Sequence, residues 1–341
     1  MGAKQRYIWL DVLKIFACFF VIINHSHGLL FEISGYTQST VTFDAIFFSI
    51  CKIAVPLFVM TTGYLTLQKE ISYKKTFLRI VRILVPLVLF SAHYYCYYNK
   101  ENANIINFIT KSVANPQNIA LWYLYMLMGL YLVIPFITKI VMHSSQRDLS
   151  FFMLAFLIAP PALYLIAKEM DHTINSYIFS SFFHISVCYL VAGIYLSRLK
   201  LKFSLFITSI VLFVASEIPV IMGIINTFKT TGEMVYAFDN WSSLPVIVSS
   251  ISFFYIIRYL FENISPKKKL SKFIQQVSAT TFGIYLIHNL AINLLFELQF
   301  VKDIFQLNSF VVLIVFQIVV FAICSVIIFI LKKIPGVKWF L

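Results

Sequence analysis

Two residues of one apolar stretch are spaced for chemistry. Lys14 and His25 stand eleven residues apart in YIWLDVLKIFACFFVIINHS, residues 7–26. Eleven residues make about 3.06 turns of α-helix, so the two share a face, roughly 16 Å apart along the axis. Asp11 lies near that face and can pair with Lys14 at i, i+3. Taken singly, Lys14 reads as a snorkelling lysine and His25 as a hydrogen-bonded core histidine. Taken as one stripe on one helix, they read as a polar lining. Arg79 and Arg82 are three apart and also share a face. Such a pair is either topogenic charge or a phosphate clamp, because guanidinium forks match phosphate oxygens.

Lys52, Glu217 and His288 sit in apolar surroundings that give an ionisable group no water. Groups of this kind within membrane spans cost several kcal/mol and are functional hypotheses by default. His93 and His184 share the situation, and His288 is followed by Asn289. A lone one of these is more often a satisfied core residue; together they suggest a polar cavity through a bundle. There is no HExxH, no Gly-rich phosphate loop and no G-x-S-x-G, so the common soluble chemistries have no support. A cavity with an arginine pair at one end and a histidine in the other half permits one mechanism. A phosphorylated donor docks at the arginines and threads its reactive end to the histidine. The histidine acts as general base on a hydroxyl acceptor from the far side.

The elements that must hold these residues follow from composition. Of 341 residues, 60% are hydrophobic and 12% charged, about half the charged share of a soluble domain. Mean hydropathy is +0.86. An ordinary soluble domain, a disordered chain and a disulfide scaffold are excluded. The apolar runs are long and continuous, as helices require and membrane barrels do not. Ten runs reach spanning length: 7–30, 43–68, 77–98, 120–142, 150–167, 178–197, 203–223, 244–261, 281–297 and 309–331. Pro160 and Pro161 should break or kink the fifth. The expected fold is all-α, a polytopic membrane helix bundle forming a single domain over residues 1–341.

Charge tests that count. With the N-terminus in the cytoplasm, twenty of the 27 Lys and Arg fall on the cytoplasmic side and five outside, with Lys14 and Lys52 inside spans. That asymmetry is the positive-inside pattern and predicts both termini cytoplasmic. The net charge of +13 is therefore a topology signal and does not point to nucleic acid. The five cysteines all lie in spans, as small packing residues without metal spacing. The first span reads as a retained helix, since it carries Asp11 and Lys14 and lacks a small-x-small cleavage site.

Six motifs in order resemble the acyltransferase-3 family of integral membrane acyltransferases, over almost the whole chain. The first helix matches with Lys14, ten intervening residues and His25. CKIAVPLFVMTTGYL, residues 51–65, resembles the second, with Lys52 before Val-Pro. RIVR at 79–82 matches an Arg-x-x-Arg motif. ALWYLYMLMGLYLVIPFI resembles the Trp-Tyr-Leu helix around Trp122 and Tyr123. TTFGIYLIHN resembles the late helix with His288, and KKIPGVKWFL the C-terminal end. The nearest likeness is to short, one-domain members that modify exopolysaccharides and surface antigens such as the enterobacterial common antigen.

The resemblance implies a multi-pass protein of the bacterial inner membrane, surrounded by membrane lipid. It implies acetyl-coenzyme A as donor, no permanently bound cofactor or metal, and a cell-envelope glycan or lipid-linked sugar as acceptor. It implies His25 as the essential catalytic residue, with Lys14, Arg79 and Arg82 important for function. Acceptor recognition would fall to the bundle and to loops 99–119 and 224–243. There Asp239, Asn240 and Trp241 are candidate sugar contacts, but an interfacial Trp belt is the stronger reading. Other readings stay open: transfer of another acyl group such as succinyl, a glycan transporter or exporter, or a structural membrane component. The absence of an internal repeat speaks against a transporter.

Overall fold

A computed structural model describes residues 7–99, 104–170, 183–236, 238, 240–264, 266–307 and 309–341. Among the described residues every regular element is helical. In chain order they are α1 (Ile8–Ser26), α2 (Leu29–Ser34), α3 (Gln38–Cys51), α4 (Ala54–Thr66), α5 (Tyr73–Asn99), α6 (Ile105–Ala114), α7 (Trp122–His143), α8 (Gln146–Phe152), α9 (Ala159–Glu169), α10 (Ile185–Arg198), α11 (Phe203–Thr231), α12 (Leu244–Phe261), α13 (Lys268–Phe296), α14 (Gln299–Phe305), α15 (Ser309–Leu331) and α16 (Val337–Phe340).

Nine helical stretches of the described residues are long and apolar enough to cross a membrane. They correspond to nine of the ten expected spans. The sixth, 178–197, is represented by α10 with 14 residues, and positions 178–182 lie outside the described residues. The segment 99–119 holds α6, whose Ile105, Ile106, Ile109 and Val113 are exposed. This apolar face suits the boundary between lipid and water.

Prolines shape the bundle. Pro56 has no N–H to offer the carbonyl four residues back, and the second span breaks there into α3 and α4. Lys52 N–H turns to the Ser49 carbonyl at 3.4 Å, and the α-helical pattern resumes with Leu57 N–H on Ile53 at 3.0 Å. Lys52 is thus the residue at a helix break, where an uninterrupted span was expected. Pro160 and Pro161 act differently. The chain widens into a π-helical turn at Met153–Ile158 and continues directly into α9. The Phe156 carbonyl, which Pro160 cannot satisfy, accepts from Cys188 Sγ at 3.6 Å.

Helix α1 is central and packs against α3, α4, α12, α13 and α15. Its Trp9 stands edge-on to Tyr64 of α4 and Phe254 of α12, with ring centroids 5.0 and 5.4 Å away. Between helices in lipid there is little hydrophobic drive, so close packing of small residues matters most. At the α4–α10 crossing, a Cβ on Gly63 would strike the Leu190 carbonyl, and one on Gly193 the Met60 carbonyl. The two backbones can approach this closely only because both positions are glycine. That crossing fixes the wall of α4 that faces the cavities described next.

Candidate active site

Two cavities lie along α1. The larger, about 510 Å³, is lined by Lys14, Arg79, Arg82 and Lys332, with Thr61, Thr62, Tyr131 and Ser278 among its other walls. The smaller, about 180 Å³, is lined by Asn24, His25, Lys52, Trp122, Trp241 and the first residues of α4, Ala54 and Val55. Tyr123 and Tyr285 belong to both linings. The expected stripe of Lys14 and His25 therefore exists, but its ends face separate chambers that share one aromatic wall.

The larger chamber is basic, and its described lining includes no carboxylate side chain. The Arg79 guanidinium lies over the Tyr131 ring, 5.7 Å from its centroid. Its Nη1 is buried with no hydrogen-bond partner among the described residues. Arg82 Nη2 donates to the Leu341 backbone oxygen at 3.5 Å, and α16 packs on α5 beside it. Lys332, just past α15, donates to the Ala279 carbonyl at 2.5 Å. Burial, with the charges of Arg82 and Lys338, pulls its ammonium below the usual lysine range. Asp11 is buried and accepts from Ser278 Oγ at 2.6 Å, which ties α1 to α13 just behind this chamber.

The smaller chamber centres on His25, one residue before the end of α1. The His288 ring lies beside it, centroid to centroid 5.0 Å, tilted 52°. His288 is fully buried. Its Nδ1 is 2.6 Å from the Tyr285 carbonyl, which can only accept, so Nδ1 carries the proton and Nε2 is the acceptor. Nε2 has no partner among the described residues. Asn289 donates to Asn118 Oδ1 at 3.0 Å, and the Tyr285 hydroxyl donates to the Ala120 carbonyl. Both bonds tie α13 to the short turn that leads into α7. Lys52 Nζ sits 3.9 Å above the centroid of Phe48.

Trp122 and Trp241 meet edge-on at 5.8 Å. Tyr189 stacks on Trp241 at 6.0 Å and donates its hydroxyl to the Trp241 carbonyl at 2.6 Å. Trp241 is thus built into a cavity wall. Asp239 lies outside the described residues, and Asn240 caps its own turn by accepting from Ser242 N–H at 2.9 Å.

Other expected residues lie elsewhere. Glu217 lines neither cavity; it is buried on α11 with Ser49 and Ser249 beside it. His93 is exposed on α5. His184 caps α10 through Ser186, Nδ1 to Oγ 2.8 Å.

Sequence reasoning missed three features. Lys332 was indistinguishable from topogenic charge. Tyr285 gave no signal beyond its place in a motif. Asp44 accepts from His27 Nδ1 at 2.6 Å and from the Tyr236 hydroxyl at 3.2 Å, pinning Tyr236 to the corner of α1 and α3. Only the closeness of His27 to His25 could have hinted at it.

The arrangement offers cations to an anionic molecule at one end, and at the other a lysine and the His25 imidazole, which is backed by His288. The family described as Acyltransferase domain matches residues 7–330. No curated protein and no solved structure matches the chain.

Proposed function

Because the chain belongs to this acyltransferase family and is a multi-pass membrane protein, we propose that it carries acetyl from coenzyme A to a hydroxyl of a cell-envelope glycan. The carrying observation is the meeting of a basic chamber and a histidine chamber at one shared wall. Coenzyme A is a polyphosphate at one end and a thioester at the other. Its phosphates suit Lys14, Arg79, Arg82 and Lys332, while its pantetheine arm is slender enough to cross the shared boundary at Tyr123 and Tyr285 toward His25.

In the reaction, the glycan oxygen attacks the thioester carbonyl carbon. A C–O bond forms, the C–S bond breaks, and the electron pair leaves on sulfur. His25 takes the hydroxyl proton and then gives it to the departing thiolate, leaving an acetyl ester and free coenzyme A. The His288 ring, packed against His25 behind the chamber wall, positions the His25 ring. The intermediate's oxyanion develops beside Lys52 and the first turn of α4, where a positive side chain and a helix N-terminus favour negative charge. Trp122 and Trp241 present apolar faces to the acceptor.

The donor enters from the cytoplasm and the acceptor from the outer side of the bacterial inner membrane, with both chain termini cytoplasmic. The charge asymmetry of the loops supports that orientation.

The experiment follows label from [acetyl-14C]coenzyme A thioester into the glycan fraction of envelope vesicles from cells that make the protein. Wild type transfers label. His25→Ala, at matched membrane levels, loses about 10²–10⁴ in rate, as expected for a general base. Wild-type turnover by the variant would overturn the role of His25, and no labelled glycan with wild type would overturn the proposed reaction.

A further inference from the structure

Tyr123 and Tyr285 carry a property of their own. They are the residues common to both chambers, and both are buried. Their rings meet edge-on, 5.4 Å between centroids at 66°. Tyr285 is anchored twice: its hydroxyl on the Ala120 carbonyl and its peptide oxygen on His288. Tyr123 is flanked by Phe58, 6.1 Å away, and by Trp122. The pair is therefore an aromatic septum between the cationic end and the imidazole end.

Resting on the acyl-coenzyme A reading, we propose that this septum and the small chamber behind it set the length of the acyl group, admitting acetyl- to butyryl-sized groups and rejecting longer ones. The space on the His25 side is about 180 Å³, and the reacting hydroxyl must share it. Pockets for drug-sized ligands begin at roughly 300 Å³. Beyond the septum a long chain competes with the acceptor hydroxyl for this small space, and retreating into the basic chamber would place its methylenes among four cations. The thioester carbonyl of a short acyl group passes the ring edges and reaches His25; that of a long one stops at them. Tyr285, held at both ends, is the fixed side. Tyr123, held by ring packing against Phe58 and Tyr285, is the side whose truncation opens the passage.

The test is a ratio measured within each preparation, so that differences in folded amount cancel. Envelope vesicles receive acetyl- or hexanoyl-coenzyme A, each labelled in the acyl group, and label in glycan is counted. Wild type strongly prefers acetyl. Tyr123→Ala raises the hexanoyl-to-acetyl ratio by about tenfold or more, since one methylene in a fitted pocket is worth about 10–200-fold. Tyr123→Leu, which keeps an apolar side chain, raises it in the same direction and serves where the alanine variant does not accumulate. A ratio unchanged from wild type in the variant that accumulates overturns the proposal. So does a wild type that uses both donors equally. A wild type that transfers neither acyl group is the failure of the acyl-coenzyme A reading itself, and is distinct from both.

Discussion

The carbonyl oxygen of Tyr285 lies 2.6 Å from Nδ1 of His288, and this contact decides which nitrogen of the second imidazole keeps a lone pair. With the proton held on Nδ1, the lone pair of Nε2 remains, buried and without a partner among the described residues. A buried acceptor left so is costly, about 1–3 kcal/mol. In the proposed reaction it orients His25, whose ring lies beside it.

His288→Asn is expected to keep a donor near the Tyr285 carbonyl while removing the Nε2 acceptor. Turnover number falls about twofold to tenfold, the roughly 0.5–1.5 kcal/mol of one neutral interaction that orients His25. KM for acetyl-coenzyme A stays at its wild-type value, because the donor's anionic end is held in the other chamber. Steady-state kinetics on purified protein read the two constants separately. A wild-type kcat leaves His288 as packing.

Arg79→Ala and Arg82→Ala should each weaken coenzyme A binding. A charge-assisted hydrogen bond is worth about 1.5–3 kcal/mol. Arg79 is the sharper case, since its Nη1 is buried and unpartnered among the described residues. Equilibrium binding of coenzyme A in detergent measures this. Unchanged affinity in both variants would return the arginines to a topogenic role.

Gly193→Leu is expected to separate α4 from α10, since even a Cβ at that position strikes the Met60 carbonyl. Over-packing of this kind typically costs about 1–3 kcal/mol; here the obstacle is backbone, which cannot rotate away. The melting temperature of the detergent-solubilised variant should fall well below that of Gly129→Leu, whose Cβ meets nothing within 4 Å. Equal melting temperatures would show that the crossing is loose.

Topology can be read with an impermeant thiol reagent in cells whose outer barrier has been opened. Four of the five cysteines are buried and Cys96 is exposed, so Cys96→Ser supplies the background. A cysteine at Asn107, exposed on α6, should label, and one at Lys268 should not. The opposite pattern would invert the orientation.

The sequence carried local information well. Helical period placed Lys14 and His25 on one face, and hydropathy located the nine helical stretches that are long and apolar enough to cross a membrane. It carried the break at Lys52 less well, although Pro56 is its cause, because apolar residues continue on both sides. Contacts between distant segments were beyond its reach. Arg82 meets Leu341, Lys332 meets Ala279, and Tyr285 meets Ala120. Each joins residues whose neighbours in the chain give no sign of the partner. For the same reason the expected continuous cavity proved to be two, divided by side chains from α7 and α13.

The central position of α1 bears on how the protein meets different bilayers. Trp9, Leu13, Ala17, Cys18 and Ile22 of this helix are almost wholly enclosed by its neighbours. By contrast, α11 and α15 expose rows of Ile, Val and Phe. When a bilayer is thicker or thinner than the protein's apolar belt, the mismatch is met by tilt and by local deformation at lipid-facing helices. The rise from Lys14 to His25, roughly 16 Å, belongs to a helix largely shielded from lipid. The reach asked of a substrate is thereby a fixed ruler, insulated from the composition of the membrane around it.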